Sequence, residues 1–240
     1  MAGSRLFDAS YHEELPLPDG RLMRLRLVRP EDRAGVEAGF TQLSPESRFH
    51  RWFHAKSQLS DADLNEVLAS GDGRHLALAA VALGADGGEE AGIGIARYVR
   101  TPEDPSTAEF AITVVDAWQG RGIGRILLHR LLAAMREDGI RTAIGRTHVE
   151  NRRIRRLLEP YVPPGSFQRD GAVLSVRFPV PEADDPLMAR LATHAAAIVR
   201  LFRRIAAGAL SPLERVEKQL DAMAPMARLE ELRRRDRDED

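Results

Sequence analysis

Three glycines stand at alternate positions in one short segment, DAWQGRGIGRILL at residues 116–128. Glycine at this density weakens regular structure and costs chain entropy, which indicates that the backbone is needed there more than side chains are. The segment follows the apolar run AEFAITVVD and leads into good helix formers up to about Arg136, before Gly139. The pattern predicts a strand, a bare loop and a helix in direct succession.

A loop of this composition is suited to binding phosphate. The first N–H groups of a helix have no partner within the helix, and the helix dipole favours negative charge at that end. Glycines let a phosphate approach these N–H groups closely, and Arg121 and Arg125 add positive charge. We therefore predict a pyrophosphate-binding loop. A tight strand-to-helix turn with close packing is the alternative interpretation.

Two common phosphate-binding motifs do not match this loop. The P-loop of nucleoside-triphosphate hydrolases requires Gly-Lys followed by Ser or Thr, whereas Gly124 is followed by Arg125 and Ile126. The dinucleotide pattern GxGxxG would begin at Gly120 and Gly122, but its third position is Arg125. Hydrolysis of ATP or GTP and dinucleotide binding are therefore both disfavoured.

The order of the sequence patterns favours an α/β (α+β) fold. Apolar strand patterns mix with capped helix patterns up to about residue 180, which predicts a mixed central sheet of about six to seven strands flanked by helices. The linker PEADDP then precedes two amphipathic helix patterns. We expect a functional domain at residues 1–180 and a helical extension at residues 181–240. The apolar stripes of this extension must pack on that domain or on a second chain in a homodimer.

Composition narrows the environment and the partners of the chain. The 240 residues include no cysteine, which excludes disulfides and a cysteine nucleophile and fits a reducing compartment. The net charge of -1 does not favour nucleic acid, and no stretch reaches the roughly 20 apolar residues of a membrane span. We expect a cytoplasmic protein that binds neither nucleic acid nor membrane. His50 and His54 have a helical spacing compatible with a metal, but without a third ligand we expect no metal site.

The segment Gln119-Gly120-Arg121-Gly122-Ile123-Gly124 resembles the Q/R-x-x-G-x-G/A motif of the GNAT family of N-acetyltransferases. The resemblance includes the strand before the motif, the strand IRTAIGRTHV after its helix, and Asn151, which opens a further helix. The runs VRPEDRAGV and LSPESRFHRWF are similar to the GNAT domains of bacterial protein-lysine acetyltransferases, so the likeness spans about residues 20–178.

This resemblance implies that acetyl-CoA is the co-substrate and that the acceptor is an amine, either a protein lysine or a small amine. It implies that the loop holds the diphosphate, and that the preceding strand and Asn151 contact the pantetheine arm. Backbone N–H groups near Val114 or Val115 would stabilise the thioester oxygen. The implied coenzyme-binding residues are Ile112, Thr113, Val114, Gln119, Gly120, Arg121, Gly122, Ile123, Gly124, Arg125 and Asn151. A helix N-cap is an equally good interpretation of Asn151.

Glu109 is the candidate general base. By strand alternation its side chain shares a face with Ala111 and Thr113, on the strand that leads into the glycine loop. An acceptor amine is mostly protonated at neutral pH, so a base assists its attack on the thioester. The resemblance implies the same role for an acid at this place. A solvated carboxylate paired with an arginine is the other interpretation of Glu109.

No general acid is identified by the sequence. Many GNAT enzymes carry a tyrosine seven residues after the asparagine, but Leu158 occupies that position and Tyr161 does not match the spacing. A cysteine-like thiol has a pKa of about 8.5, so the thiolate can leave without an acid catalyst. The alternative function on the same fold is a non-catalytic acyl-CoA sensor or interaction module.

Overall fold

The computed structural model describes residues 5–70 and 73–182, which form one eight-stranded sheet with helices on both faces. The strands are β1 (His12–Pro16), β2 (Leu22–Leu27), β3 (His75–Leu83), β4 (Glu89–Arg100), β5 (Thr107–Val114), β6 (Thr142–His148), β7 (Phe167–Asp170) and β8 (Val173–Pro179). The helices are α1 (Arg33–Thr41), α2 (Pro45–Trp52), α3 (Asp61–Leu68), α4 (Ile123–Glu137) and α5 (Arg152–Leu158).

The predicted α/β (α+β) class with a mixed central sheet is confirmed, but the sheet has eight strands and not six to seven. The difference arises near the C-terminal end of the sheet, where a turn containing Gly171 at φ 56° folds residues 167–179 into a hairpin. The expected helical extension lies outside the described residues from residue 183 onwards. The boundary near residue 180 and a homodimer formed by the extension therefore stay predictions.

The sheet order β1-β2-β3-β4-β5-β6-β8-β7 positions the site. All neighbouring strands are antiparallel except β5 and β6, which run parallel because α4 carries the chain back between them. The parallel pairing covers only three residues of each strand and ends where Glu109 faces Ile144. Beyond that point β5 continues along β4 and β6 continues along β8, so the two strands diverge.

The core fixes α4 firmly on one face of the sheet. Five apolar side chains of α4 are completely buried: Leu127, Leu128, Leu131, Leu132 and Met135. Complete burial of each such side chain contributes about 1.5–3 kcal/mol. The first turn of α4 is therefore held rigidly at the end of β5, where the cofactor loop was predicted.

Helices α1 to α3 cover the opposite face of the sheet, above a smaller cluster of Val28, Ala77, Ala79 and Val81. The buried Arg26 side chain pairs with Asp32 at 2.7 Å and with Glu89 at 2.7 Å. Its hydrogen bonds lower the pKa of the Glu89 carboxyl to about 2. This ion-pair cluster connects the turn before α1 to the start of β4.

Helix α2 ends earlier than the histidine spacing predicts. The helix stops at Trp52, and Phe53 adopts a left-handed conformation with φ 60°, so His54 lies beyond the helix and the helical spacing of His50 and His54 is wrong. Among residues 5–70 and 73–182, no group of three potential metal ligands lies together. No helix in the same described part is long and apolar enough to cross a membrane.

Candidate active site

A cleft of about 1550 Å³ opens where β5 and β6 diverge. Its walls come from the ends of these strands, from the glycine loop, and from α2 and α5. Glu109 lies at the apex, as the last residue of β5 that pairs with β6. Beyond Glu109 the strands β5 and β6 are no longer paired, and the cleft between them is lined by elements from both faces of the sheet.

The glycine loop has the geometry of an anion-binding turn. Gly120 and Gly122 have φ values of 76° and 84°, a left-handed conformation that glycine adopts without strain. A Cβ atom at either position would meet nothing within 4 Å, so the space beside the loop is open. Helix α4 begins at Ile123, and the N–H of Arg125 is the first to donate to Gly122 O, at 3.0 Å. The N–H groups that precede Arg125 come before the first hydrogen bond of the helix. Phosphate binding at a helix start uses such N–H groups, which have no partner within the helix.

The third glycine of the motif is under no comparable constraint. Gly124 lies within α4, and a Cβ atom there would make ordinary contacts with Leu157 at 3.6 Å and Val114 at 3.8 Å. Alanine would therefore fit at this position. The structure explains why a motif of the form G-x-G/A accepts either residue at its last position.

The Gln119 side chain connects the glycine loop to the end of β5 and to α5. Its Nε2 donates to Val114 O at 2.9 Å, and its Oε1 accepts a hydrogen bond from the Arg153 guanidinium of α5. Arg121, by contrast, turns away from the cleft and pairs with Asp19 at 2.5 Å. Arg125 does line the cleft, together with three arginines of α5 that the sequence reasoning missed: Arg152, Arg153 and Arg156.

Asp116 attaches α2 to the end of β5, a role that the sequence reasoning also missed. Its carboxylate accepts hydrogen bonds from Ser44 N at 2.9 Å, Ser44 Oγ at 3.0 Å and Ser47 Oγ at 2.8 Å. Burial alone would raise the pKa of Asp116, but these hydrogen bonds outweigh it and lower the pKa. The position of an aspartate between the strand and the loop, with serines at the start of α2, was the available signal.

Glu109 pairs with an arginine, as one of its two interpretations predicts, while its role as a base stays a prediction. Its Oε2 accepts a hydrogen bond from Arg146 Nη2 of β6 at 2.7 Å, and its side chain is 45% exposed. Phe110, the next residue, is buried on the α4 side, so Glu109 faces the α2 side of the sheet. The carboxyl group is thus accessible from the cleft and held at the point where the strands diverge.

Asn151 caps α5 in this structure. Its Oδ1 accepts from Ile154 N at 3.2 Å, and its Nδ2 donates to Thr147 Oγ1 at 3.0 Å, while the residue also lines the cleft. Leu158 is buried at 2% exposure. Tyr161 is buried as well, which raises the pKa of its phenol to about 12, and it does not line the cleft.

On the α2 side, two arginines line the cleft. Arg97 of β4 pairs with Glu66 of α3 at 2.6 Å. Arg51 of α2 lies beside Trp52, with its guanidinium carbon 5.3 Å from the ring centroid. Arginines therefore line both sides of the cleft, around the glycine loop and α5 on one side and around α2 on the other, where Glu46 and Glu66 also lie.

Comparison with known proteins agrees with this geometry. Residues 23–161 match the family described as acetyltransferase (GNAT) domain. The chain is 31% identical to Acetyltransferase PA5475 of Pseudomonas aeruginosa over 141 residues, 59% of this chain and 74% of that protein.

Two solved structures illustrate the similarity in fold. The GNAT domain of S. lividans PAT has 26% identity and a TM-score of 0.60, over 72% of this chain and 99% of that chain. The structure of yncA from Salmonella typhimurium, solved with its cofactor acetyl-CoA, has 19% identity and a TM-score of 0.51, over 68% of this chain and 97% of that chain. At this identity the second likeness shows the fold alone.

Proposed function

Because the chain belongs to the acetyltransferase (GNAT) family, we propose that it moves an acetyl group from acetyl-CoA to a primary amine by direct attack, with Glu109 as general base. The class, an acetyl-CoA-dependent N-acetyltransferase, follows from the family. The acceptor and the base are the proposal. The main support for this proposal is the accessible carboxylate of Glu109, which lies where β5 and β6 separate and on the strand that leads into the glycine loop.

The coenzyme side of the cleft fits acetyl-CoA as co-substrate. The loop from Gln119 to Arg125 offers backbone N–H groups at a helix start, and the open space at Gly120 and Gly122 admits a diphosphate. Arg125 and the α5 arginines add positive charge. Ile112, Thr113 and Val114 form the free edge of β5 beyond its pairing with β6, where an extended pantetheine arm can lie.

The proposed chemistry needs only groups that the chain contains. The amine nitrogen attacks the thioester carbon, a C–N bond forms, the C–S bond breaks, and the amine proton passes to the Glu109 carboxylate. The leaving thiolate takes a proton from water, because the tyrosine position is the buried Leu158. Since the chain has no cysteine, no acyl-cysteine intermediate is involved. A cytoplasmic location, with its acetyl-CoA supply and reducing conditions, is part of the proposal.

The experiment compares Glu109→Gln with the wild-type protein. We expect kcat to fall by about 10²–10⁴-fold, the usual contribution of general acid–base catalysis, while acetyl-CoA affinity by calorimetry changes little. Glu150→Gln is the matched control, because Glu150 also lines the cleft but is 80% exposed and makes no contact with Glu109. Near-normal turnover of Glu109→Gln would remove Glu109 from the mechanism. Coenzyme binding without turnover on any amine would favour the sensor function.

A further inference from the structure

Arg51 occupies a wall shared by the active-site cleft and a second cavity. This cavity, of about 270 Å³, lies beneath α1 to α3 on the face of the sheet that carries Glu109. Arg51, Arg97, Ala111 and Thr113 line both spaces. The hydrogen bonds of Asp116 to the start of α2 hold this wall in place.

Arg51 is a partly buried cation that lines the cleft, and it has no acidic partner among the described residues. Within the described parts of the chain, the structure records neither an ion pair nor a hydrogen bond for its guanidinium. Burial, followed by the positive charge of Arg97, lowers the pKa of Arg51 to about 10. At neutral pH the side chain therefore still carries its charge.

The acids around Arg51 are each bound to another cation. Three carboxylates lie close enough to influence it electrostatically: Glu66, Glu109 and Asp63. Each has its own partner: Glu66 with Arg97 at 2.6 Å, Glu109 with Arg146 at 2.7 Å, and Asp63 with Lys56 at 2.7 Å. Among Arg51 and these three pairs the balance is one positive charge in excess, so Arg51 presents an unpaired guanidinium to the cleft.

This excess charge lies on the same side of the sheet as the proposed base. Arg97 is directly opposite Ala111 in the register of β4 and β5, and Ala111 shares its face with Glu109. An acceptor whose amine reaches Glu109 therefore brings its neighbouring groups towards Arg51. A peptide lysine would bring no anion to Arg51, so the guanidinium would stay without a counter-charge. A carboxylate would pair with the guanidinium through two parallel hydrogen bonds.

The second cavity offers room for a side chain of such an acceptor. Phe40, Trp52 and Val115 contribute apolar surface to it, with Trp52 packed edge-on against Phe40 at 5.3 Å between ring centroids. Its volume is close to the lower end of ordinary small-molecule sites, about 300 Å³. That size suits a single amino-acid side chain.

We propose that the acceptor is a small amine that also carries a carboxylate, an amino acid or close analogue, and that Arg51 binds this carboxylate while Glu109 faces the amine. This inference rests on the proposed acetyl transfer and names its substrate class. Arg51 is then a specificity-determining residue of the reaction, and the second cavity receives the acceptor's side chain.

The first test uses the wild-type protein and matched acceptor pairs. Release of coenzyme A is measured with L-phenylalanine against phenethylamine, L-leucine against isoamylamine, and L-phenylalanine against its amide. We expect the carboxylate-bearing member of each pair to have a kcat/KM about 10- to 100-fold higher, as loss of a hydrogen-bonded charged partner predicts. Equal rates within each pair, or faster acetylation of lysine-containing peptides, would overturn the inference and leave the proposed function intact.

The second test uses Arg51→Gln and Arg51→Lys, with thermal unfolding to show that both variants fold. Arg51→Gln should raise KM for L-phenylalanine about 10- to 100-fold, a much larger factor than its effect on KM for phenethylamine or on the affinity for acetyl-CoA. Arg51→Lys should recover part of the loss, because it keeps the charge but not the paired geometry. Arg33→Gln, a change on the outer surface of α1, is the control. An equal loss with both acceptors would refute carboxylate binding. Failure of every amine with wild-type protein would instead refute the acetyl transfer itself.

Discussion

The two alanine substitutions Gly122→Ala and Gly124→Ala should have opposite outcomes, although the residues are two positions apart. Gly122 has a φ of 84°, and a Cβ there would meet nothing within 4 Å, so the whole effect is backbone strain. Placing an L-residue in the left-handed region costs about 1–2 kcal/mol. Gly124 is helical with room for a methyl group, so alanine there should be neutral or stabilising by about 0.4–1 kcal/mol.

These energies predict changes in the melting temperature Tm and in the affinity for coenzyme A. For a chain of this size the Gly122→Ala cost should lower Tm by about 2–8 °C, whereas Gly124→Ala should leave Tm equal or slightly higher. Any part of this strain that the free loop relieves by changing shape must be restored on binding, so the fall in Tm and a weakening of coenzyme A binding of at most about 5- to 30-fold together account for the cost of about 1–2 kcal/mol. Gly124→Ala should bind within about threefold of wild type, since 1.4 kcal/mol corresponds to tenfold.

Gly122→Asn provides the internal control, because asparagine tolerates the left-handed conformation better than alanine does. It should lose less stability and less affinity than Gly122→Ala. If Gly124→Ala weakened coenzyme A binding as much as Gly122→Ala did, access to the loop and not its backbone conformation would limit binding. The reasoning from φ would then be refuted.

Two further predictions concern the supports of the site. Asp116→Asn should lower the free energy of unfolding by about 1–3 kcal/mol, because three donors of α2 lose their charged acceptor, whereas Ser47→Ala should cost about 0.5–1.5 kcal/mol. Urea unfolding measures both, and equal losses would contradict the assigned role of Asp116. The pKa of Glu89 is about 2 in the folded protein against an ordinary 4.5, so its pair with Arg26 stabilises fully above pH 4.5 and is lost as the pH falls towards 2. Glu89→Gln should flatten the loss of stability in that window, and an unchanged pH dependence would show that other carboxylates govern it.

Local chemistry made the glycine loop predictable. Glycines at alternate positions, followed by helix formers, indicate both the bare turn and the helix start, because left-handed conformations and free N–H groups are properties of a few consecutive residues. The strand alternation that put Glu109 on one face with Ala111 was likewise local and is borne out by the buried Phe110. The N-cap interpretation of Asn151 also followed from residue type and position.

The contacts of Glu109 and Arg51 depend on elements that are distant in the chain. Arg146, which binds Glu109, lies on another strand, and no spacing predicts that β5 and β6 pair over only three residues before they diverge. The turn of Arg121 towards Asp19 instead of the cleft depends on a neighbour more than 100 positions earlier. Such pairings follow from the packing of the whole sheet.

The sequence by itself determined the class of the fold, the glycine turn at the start of a helix and the face of the strand that carries Glu109, because each is encoded within a short run of residues. Only the tertiary structure decided how the sheet opens and which charges face the acceptor. Gly145 shows the reason, since a Cβ there would lie 2.8 Å from the Phe110 ring across the gap between strands. Glycine is required at position 145 because two chain segments that are distant in sequence come into contact there in the folded protein.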